Sequence, residues 1–461
     1  MLDDTTREAL LEKAEAPARE AIRLHQFYAG KIEIWPKAAV RDVDDFAYWY
    51  TPGVAEPCLA IAEDHELSYE LTGRGNTIAI VSDGSRVLGL GNIGPEGAMP
   101  VMEGKALIYK LLGGVDAVPL CLGTQDIGRL IRAVKQLEPS FGGINLEDIE
   151  HPKCFDLLDK LREIMRIPVW HDDQQGTAAV TLAGLINALR VVGKPLAEAR
   201  VAVLGAGAAS IACARFIIAA GVDPDHVVMT DSKGILNRRR RDLREKSRVA
   251  WEMALLTNHA GRSGGSAEAM AGMDAVIAYT TPGPGIIDPA WIGGMASDPI
   301  VFACANPTPE IWPWEAREAG AAVVATGRSD MENQINNSLA FPGIFRGALD
   351  VRATGITDEM AIAAAYELAD FAADPAHGGL RADHLLPTMD EREVVPRVAA
   401  AVGSKAVEQG IARRPLTREE LMHLARRHVE RAEAGNRQLM AGGLIAPMPD
   451  APHPEMGAID E

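Results

Sequence analysis

The sequence predicts an α/β protein built on parallel sheets, and three observations support this prediction. Short apolar runs alternate with helical patterns along most of the chain, as expected for successive βαβ units. Two glycine-rich loops each join an apolar run to a helical pattern. From about Asp358 onward the pattern is helical, for example in "EMAIAAAYELADFAA". At 461 residues the chain also has room for two or three domains of roughly 100 to 200 residues each.

The first half of the chain carries one series of strands and helices. After the acidic, helical segment "MLDDTTREALLEKAEAPARE", the runs "NTIAIVS" and "RVLGLG" predict strands, and "PEGAMPVMEGKALIYKLLGG" predicts a helix. The runs "DAVPLCLGT" and "FGGINL" predict strands on either side of a helix at "IGRLIRAVKQL". Pro152 can open the next helix, because its fixed φ and missing N–H suit the first helical turn.

A helix from Gly176 to about Val192 leads into a second series. The segment "ARVAVLGAGAASIACARFIIAAGVDPDHVVMTDSKGIL" predicts a βαβ unit, and "DAVIAYT", "PIVFACANPTPEI" and "AAVVATG" predict further parallel strands. We place the domain boundary between Gln174 and Gly193. The Pro-rich end of the chain, "APMPDAPHPEMGAIDE", is expected to be mobile.

Composition and charge exclude several classes of partner. The formal net charge of -18 opposes binding to nucleic acid and to anionic membrane surfaces. No run of about 18 apolar residues is present that could span a membrane, and the N-terminal segment lacks the features of a secretion signal. The five cysteines stand singly and predict small buried residues in a reducing cytosol: Cys58, Cys121, Cys154, Cys213 and Cys304. The protein is therefore expected to be cytoplasmic.

Two glycine-rich loops are candidates for binding a dinucleotide. The loop Gly205–Ser210, "GAGAAS", follows an apolar strand and opens an Ala-rich helix, whose N-terminus suits phosphate. The next predicted strand ends in Asp231, placed to meet a ribose hydroxyl. The loop Gly89–Gly94, "GLGNIG", lacks such an acidic residue, which favours a simple strand-to-helix turn. The expected dinucleotide contacts are Gly205, Gly207, Ala208, Ala209, Ser210 and Asp231.

Two pairs of adjacent carboxylates follow predicted strands. Asp172 and Asp173 lie in "PVWHDDQQGTA", and Glu147 and Asp148 follow "FGGINL". Glu147, Asp148 and one of the later aspartates would form an oxygen-ligand site suited to Mg²⁺ or Mn²⁺ rather than zinc. The alternative is a solvated acidic loop plus acidic residues at a helix N-terminus. Sequence spacing leaves both interpretations open.

Lys105 lies in the apolar pattern "VMEGKALIYKLL". Burial and a nearby cation would both lower the pKa of its ammonium group and make it a base near neutral pH. The alternative is that the side chain extends along the surface to solvent. The local pattern alone favours this second interpretation.

Seven segments occur in an order that resembles the short bacterial malic enzymes, over roughly residues 27–410. They are "YTPGVAEPC", "DGSRVLGLGNIGPEGAMPVMEGKA", "FGGINLEDI", "HDDQQGTA", "GAGAASIA", "FACANPTPEI" and "ATGRSDMENQINNSLAFPGIFRGALDVRA". The resemblance implies oxidative decarboxylation of L-malate to pyruvate and CO₂, with NAD(P)⁺ and a divalent metal. It implies an N-terminal α/β catalytic domain over 1–174, a Rossmann-type NAD(P)-binding domain over 175–410 with C-terminal helices, and a C-terminal helix and tail over 411–461.

The resemblance also implies a role for each matched residue. Lys105 matches the base for the C2 hydroxyl, Asp172 the carboxylate beside that lysine, and Tyr50 the acid that protonates C3. Arg86 matches the clamp on a malate carboxylate, a task suited to a guanidinium. Further matched positions are Glu147, Asp148 and Asp173 as metal ligands, and Asn306 and Asn337 as amides near the substrate and the nicotinamide.

The choice between NAD⁺ and NADP⁺ depends on two conflicting signals. Asp231 favours NAD⁺, because a carboxylate there accepts from the 2′-hydroxyl and repels a 2′-phosphate. The run "NRRRRDLR" places Arg238 to Arg241 and Arg244 shortly afterwards, where a guanidinium could bind that phosphate. The alternative for this run is a solvated basic turn. We expect NAD⁺ preference with measurable NADP⁺ use.

Two other functions are compatible with the same motifs. A malolactic-type lyase would use the same fold and metal but release lactate without net NAD(P)H. A catalytically silent nucleotide-binding regulator would lack metal-dependent turnover. The expected partners are the small-molecule substrate L-malate and further copies of the chain, in a homo-oligomer that is a dimer or larger.

Overall fold

The structure of the protein is a computed structural model that describes residues 20–449. The predicted N-terminal helix lies outside the described residues except at its end, where residues 20–28 are helical. The predicted mobile tail lies outside them from residue 450 onward.

The first sheet has four parallel strands in the order β2-β1-β3-β4. They are β1 (Thr77–Ser82), β2 (Asp116–Cys121), β3 (Gly143–Leu146) and β4 (Val169–His171). The central strands β1 and β3 are almost wholly buried, which explains why their sequences are continuous apolar runs. Because the strands are parallel, the acidic residues that follow β3 and β4 meet at one edge of the sheet.

The second sheet has six strands in the order β10-β9-β8-β5-β6-β7. They are β5 (Val201–Leu204), β6 (Val227–Asp231), β7 (Gly234–Ile235), β8 (Ala275–Ala278), β9 (Ile300–Ala303) and β10 (Val323–Thr326). All pairs are parallel except β6 with β7. The predicted Rossmann-type sheet is confirmed, and the strand order reverses next to β5, where such folds bind nucleotides.

Helices cover both sheets. From residue 50 onward the longer ones are α1 (Ala55–Glu63), α2 (Gly94–Gly113), α3 (Ile127–Leu137), α4 (Lys153–Ile164), α5 (Thr177–Val191), α6 (Ala208–Ala219), α7 (Arg248–Leu256), α8 (Phe341–Asp350), α9 (Asp358–Ala373), α10 (Val394–Glu408) and α11 (Arg418–Ala441). Shorter helices cover Phe46–Trp49, Ser68–Leu71, Asp242–Lys246, Ser266–Met270, Pro289–Ile292 and Pro313–Glu318. Within residues 20–449, no helix is both long and apolar enough to cross a membrane.

Helix α5 lies at the centre of the molecule. Its residues from Ala178 to Leu189 are all buried, as expected for a helix that is apolar on every side. The main core runs from β1 and β3 through α5 to one face of β5, and a second core covers the opposite face of β5. Alternate residues of β5 supply the two cores, because successive strand side chains point to opposite faces.

The helices after β10 pack against α2 and α5. Phe341 and Phe345 of α8 contact the ring of Tyr109 in α2, with ring centroids 4.5 Å and 5.4 Å apart. Helix α9 packs against α5, and α11 packs against α2. These contacts join residues on both sides of positions 174 and 410. The domain boundaries predicted at those two residues therefore stay a prediction.

Three local predictions were incomplete or wrong. The run "RVLGLG" forms only an isolated bridge between Val87 and Gly91, and the short antiparallel strand β7 was not predicted. Cys58 is exposed rather than buried, because α1 lies on the surface with no buried residue. Of the other cysteines, three are buried and Cys121 is half-buried.

Candidate active site

The turn between β4 and α5 places two adjacent aspartates in different environments. Residues Asp172–Gly176 form one turn of π-helix, a distortion that often occurs at functional sites. Asp172 is completely buried, and its Oδ1 accepts from Trp170 Nε1 at 3.0 Å. A Cβ at Gly176 would clash with that same Oδ1, so a larger residue at position 176 would displace the Asp172 carboxylate. Both aspartates lie in the first turn, but neither caps a helix through its side chain, so a helix N-terminus does not by itself account for the buried Asp172.

Lys105 is the cation at the centre of the site. Its Nζ lies 2.5 Å from Asp172 Oδ2 and 2.6 Å from Glu147 Oε1, and 4.6 Å from the ring centroid of Phe341. The side chain is only 8% exposed. The interpretation that Lys105 extends to solvent is therefore wrong, because α2 directs it between two buried carboxylates.

A hydrogen-bonded chain supports this ion pair. Asn145 Nδ2 donates to Glu147 Oε2 at 2.8 Å, and Tyr109 OH donates to Asn145 Oδ1 at 3.2 Å. Both Asn145 and Tyr109 are fully buried. Sequence reasoning missed these two residues and Trp170. The available signal was a polar Asn145 inside an apolar strand, two residues before Glu147 and hence on the same face.

Glu147, Asp148 and Asp173 form a second cluster beside Lys105. One carboxylate oxygen from each lies within 4.8 Å of the others, a spacing that fits oxygens placed 2.0 to 2.6 Å from one shared Mg²⁺ or Mn²⁺ ion, as hard-cation ligands are. The backbone N–H of Asp148 donates to Asp173 Oδ2 at 2.9 Å. The Oδ2 atom of Asp148 is buried, and no hydrogen-bond donor within residues 20–449 reaches it. A buried carboxylate oxygen without a donor is costly, and a divalent cation would satisfy it.

Burial and mutual repulsion shift the carboxyl groups toward their neutral form. Burial first, and then the charge of Asp173, raise the pKa of Asp148 to about 7. Burial also raises the pKa values of Glu147 and Asp173, although Lys105 opposes the shift in both. Carboxylates that resist ionisation together need a compensating cation. The residues therefore fit the predicted metal.

The predicted lowering of the Lys105 pKa is wrong for the protein without metal. Burial does lower it, but the carboxylates of Asp172 and Glu147 outweigh burial and raise the pKa of Lys105 above its ordinary value. The physical reason is the excess of negative charge around one ammonium group. A divalent cation on the neighbouring cluster would offset that excess.

The predicted substrate residues lie around the two clusters. Arg86 donates its backbone N–H to Asp148 O at 3.0 Å, and its charge lowers the pKa values of Asp148 and Asp173. Asn337 borders the π-turn, since a Cβ at Gly176 would lie 3.3 Å from Asn337 Cβ.

Asn306 and Tyr50 are both exposed. Asn306 follows β9, and its carbonyl oxygen would lie 2.5 Å from a Cβ at Gly89, so loops of the two sheets meet there. The Gly89 loop therefore contacts the loop that follows β9, in addition to its predicted role as a strand-to-helix turn. Tyr50 is 70% exposed, and within residues 20–449 its hydroxyl makes no hydrogen bond. No hydrogen bond joins Tyr50 to Lys105 in this part of the chain.

The Gly205 loop has the geometry of a nucleotide-binding turn. Gly205 has a φ of 109°, and a Cβ there would lie 2.6 Å from Tyr279 O, so glycine is required. Gly207 is the N-cap of α6, and Ala208 and Ala209 form its partly exposed first turn. Ser210 is fully buried. Its Oγ lies close to Gly205, since a Cβ at Gly205 would be 2.7 Å from that atom.

The fold and the two sites together define a two-domain enzyme in which a Rossmann-type sheet adjoins a buried lysine and an oxygen-ligand cation site. Comparison with protein families agrees. "Malic enzyme, NAD binding domain" matches residues 174–407, and "Malic enzyme, N-terminal domain" matches residues 29–127 and 123–162. The chain belongs to the malic enzyme family.

Individual relatives are similar over most of their length. The bifunctional malic/malolactic enzyme of Bacillus subtilis is 47% identical over 88% of this chain and 97% of its own. The NAD-dependent malic enzyme of Geobacillus stearothermophilus is 48% identical over 84% of this chain and 78% of its own. The crystal structure of the Entamoeba histolytica malic enzyme has a TM-score of 0.92 at 44% identity, covering 97% of this chain and 93% of that one.

Proposed function

We propose that the protein catalyses the oxidative decarboxylation of L-malate to pyruvate and CO₂, with reduction of NAD(P)⁺. The observation that supports this most directly is Lys105, buried between Asp172 and Glu147 beside a cluster of three carboxylates. The family and the names of its relatives agree with this reaction.

Each proposed role follows from the chemistry of the reaction. A Mg²⁺ or Mn²⁺ ion held by Glu147, Asp148 and Asp173 would polarise the C2 oxygen of malate as a Lewis acid. Lys105 accepts the proton of the C2 hydroxyl as hydride leaves C2 for NAD(P)⁺, which gives oxaloacetate. Asp172 holds the Lys105 ammonium in place.

Binding and the final protonation use other residues. The guanidinium of Arg86 pairs with a malate carboxylate, and the amides of Asn306 and Asn337 contact the substrate and the nicotinamide. Loss of CO₂ from oxaloacetate leaves the enolate of pyruvate. Tyr50 returns a proton to C3 of that enolate.

The test is an assay of the purified protein with L-malate, Mn²⁺ and either NAD⁺ or NADP⁺. We expect NAD(P)H absorbance to rise together with pyruvate. The Bacillus subtilis relative, named a bifunctional malic/malolactic enzyme, makes a malolactic-type lyase the second candidate. Lactate formed without net NAD(P)H would support that lyase, and no metal-dependent turnover at all would support a silent regulator.

Changing Tyr50 to phenylalanine is expected to separate the two halves of the reaction. Without its hydroxyl, protonation of the enolate slows, but hydride transfer is not directly affected. Reduction of added oxaloacetate by NAD(P)H should therefore survive better than conversion of malate to pyruvate. The exposed Tyr48→Phe variant is the matched control, and equal loss in both assays would count against Tyr50 as the C3 acid.

The homo-oligomer remains a proposal, and an exposed apolar surface supports it. At least a third of each of these side chains in residues 22–54 is exposed: Ile22, Phe27, Tyr28, Ile32, Ile34, Trp35, Val40, Val43, Phe46, Tyr48, Trp49, Tyr50 and Val54. Such a concentration of exposed apolar side chains is typical of an interaction surface. Light scattering should give at least twice the chain mass of 49.3 kDa, and a monomeric mass would contradict the proposal.

A further inference from the structure

One arginine of the basic run binds the acidic residue at the end of β6. Arg240 Nη1 lies 3.1 Å from Asp231 Oδ1, and Arg240 Nη2 lies 2.7 Å from Asp231 Oδ2. This is a bidentate pair, the strongest arrangement of a guanidinium and a carboxylate. Arg238 instead donates to Leu255 O at 3.0 Å. The structure therefore favours Arg240 over the other arginines as the residue that faces Asp231.

Arg240 has no free donor in this arrangement. Its Nε and Nη2 also donate to Asp242, at 2.9 Å and 3.1 Å, and its Nη1 donates to Gly234 O at 3.5 Å. Together with the two bonds to Asp231, these contacts use all five N–H groups of the guanidinium. A new anion could bind Arg240 only by displacing one of these partners.

Asp231 keeps room for one more donor. Its Oδ1 accepts from Arg240 and from the backbone N–H of Lys233 at 2.8 Å. Among the described residues, its Oδ2 accepts only from Arg240. Because each carboxylate oxygen has two acceptor positions, Oδ2 can still accept one hydroxyl. The side chains of Asp231 and Arg240 are 20% and 17% exposed, so this edge is open to a ligand.

The local charge is balanced rather than negative. Lys233 Nζ pairs with Asp242 at 3.1 Å, so two cations and two carboxylates form one neutral cluster: Lys233, Arg240, Asp231 and Asp242. An isolated Asp231 would repel a 2′-phosphate, but the neutral cluster does so much less. Removing Arg240 would leave the cluster with a net charge of -1.

We propose that Arg240 determines cofactor choice, by pairing with Asp231 when the ribose carries a 2′-hydroxyl and with the phosphate when it carries a 2′-phosphate. The proposal depends on the proposed function, since it assumes that the Gly205 loop binds NAD(P)⁺. NAD⁺ uses the free acceptor of Asp231 and leaves the ion pair intact. Of the partners that NADP⁺ could displace from Arg240, Asp231 is the one beside the ribose, and loss of this pair makes NAD⁺ the preferred cofactor and NADP⁺ a usable one.

The test measures equilibrium binding of NAD⁺ and of NADP⁺ by calorimetry, without malate. Arg240→Ala should raise the Kd for NADP⁺ about tenfold or more, the effect of losing a charge-assisted hydrogen bond, and change the Kd for NAD⁺ less than threefold. Asp231→Ser should shift the ratio of the two Kd values at least tenfold toward NADP⁺, because it frees Arg240. When Asp231→Ser is combined with Arg240→Ala, the ratio of the two Kd values should no longer shift toward NADP⁺.

Matched variants separate this role from general effects. Arg238→Ala and Arg239→Ala remove the same charge from the same run and should leave the ratio of Kd values unchanged. Equal weakening of both cofactors by Arg240→Ala would overturn the proposal, as would a control variant with the same effect or a shift by Asp231→Ser that persists without Arg240. If the unaltered protein bound neither cofactor, the proposed function itself would fail, a different result from lost selectivity.

Discussion

Replacing Lys105 with alanine is expected to lower kcat by about 10²-fold or more, the scale of a positioned acid-base group, while NAD(P)⁺ binding stays intact. Lys105 lies between Asp172 and Glu147 at 2.5 Å and 2.6 Å. It belongs to α2, which packs on the first sheet, whereas the nucleotide loop follows a strand of the second sheet. Steady-state kinetics with malate and a fluorescence titration with NAD(P)⁺ check the two halves of this expectation. A collapse of cofactor affinity would show that the assigned role is wrong.

Two further variants distinguish proton transfer from loss of a buried charge. Removing Lys105 leaves two buried carboxylates unpaired, which can destabilise the fold by several kcal/mol, so thermal unfolding must be measured as well. Lys105→Arg keeps a cation in the pair but cannot act as a base, because arginine stays protonated. It should retain the fold better and remain inactive. Lys110→Ala, an exposed lysine of the same helix, should keep normal activity.

Asp173→Asn is expected to abolish turnover at Mn²⁺ or Mg²⁺ concentrations that saturate the unaltered protein. The variant replaces an anionic ligand with a neutral amide, although the amide oxygen can still accept from the Asp148 N–H. The loss of metal affinity should exceed the roughly 10-fold to 100-fold that removal of an outer partner causes. Calorimetric titration with Mn²⁺ measures that loss directly.

The control for Asp173 is Asp159→Asn, which neutralises an exposed aspartate of α4. It should leave both metal binding and turnover unchanged. Near-normal activity of Asp173→Asn at low metal would exclude Asp173 as a ligand. Normal Mn²⁺ affinity with no turnover would instead move Asp173 from metal binding to another role.

Both sheets were predictable from the sequence, because a buried parallel strand leaves a strong local pattern. Apolar runs such as "NTIAIVS" and "ARVAVL" coincide with β1 and β5. The weak strand predicted at "RVLGLG" failed, since its glycines and exposed leucines form a loop that meets Asn306. The two-residue strand β7 was missed because it is too short to have a period.

The site was predictable only as a set of chemical groups. Glu147, Asp148 and Asp173 were expected as ligands, and the structure brings their oxygens together. Asn145 and Trp170, which orient Glu147 and Asp172 through hydrogen bonds, were missed because a buried polar residue cannot be distinguished from an exposed one by its type. The role of Tyr50 stays a prediction, since its side chain is exposed and no hydrogen bond among the described residues ties it to the site.

The fold class, the family and the order of the reactive groups along the chain could all be inferred from the amino-acid sequence. These inferences rest on local properties of the chain, which can be recognised without a structure. They are the periodicity of the strands, glycines where the backbone must be left-handed, and carboxylates at strand ends. Which of these groups contact one another depends on the folded arrangement of the helices and strands. Lys105 reaches Glu147 and Asp172 across 42 and 67 residues of chain, and one π-turn directs Asp172 inward beside the exposed edge of Asp173. Likewise, Arg240 pairs with Asp231, whereas Arg238 of the same run donates to Leu255 O. The sequence alone could not distinguish them, because contacts between side chains depend on how the chain folds.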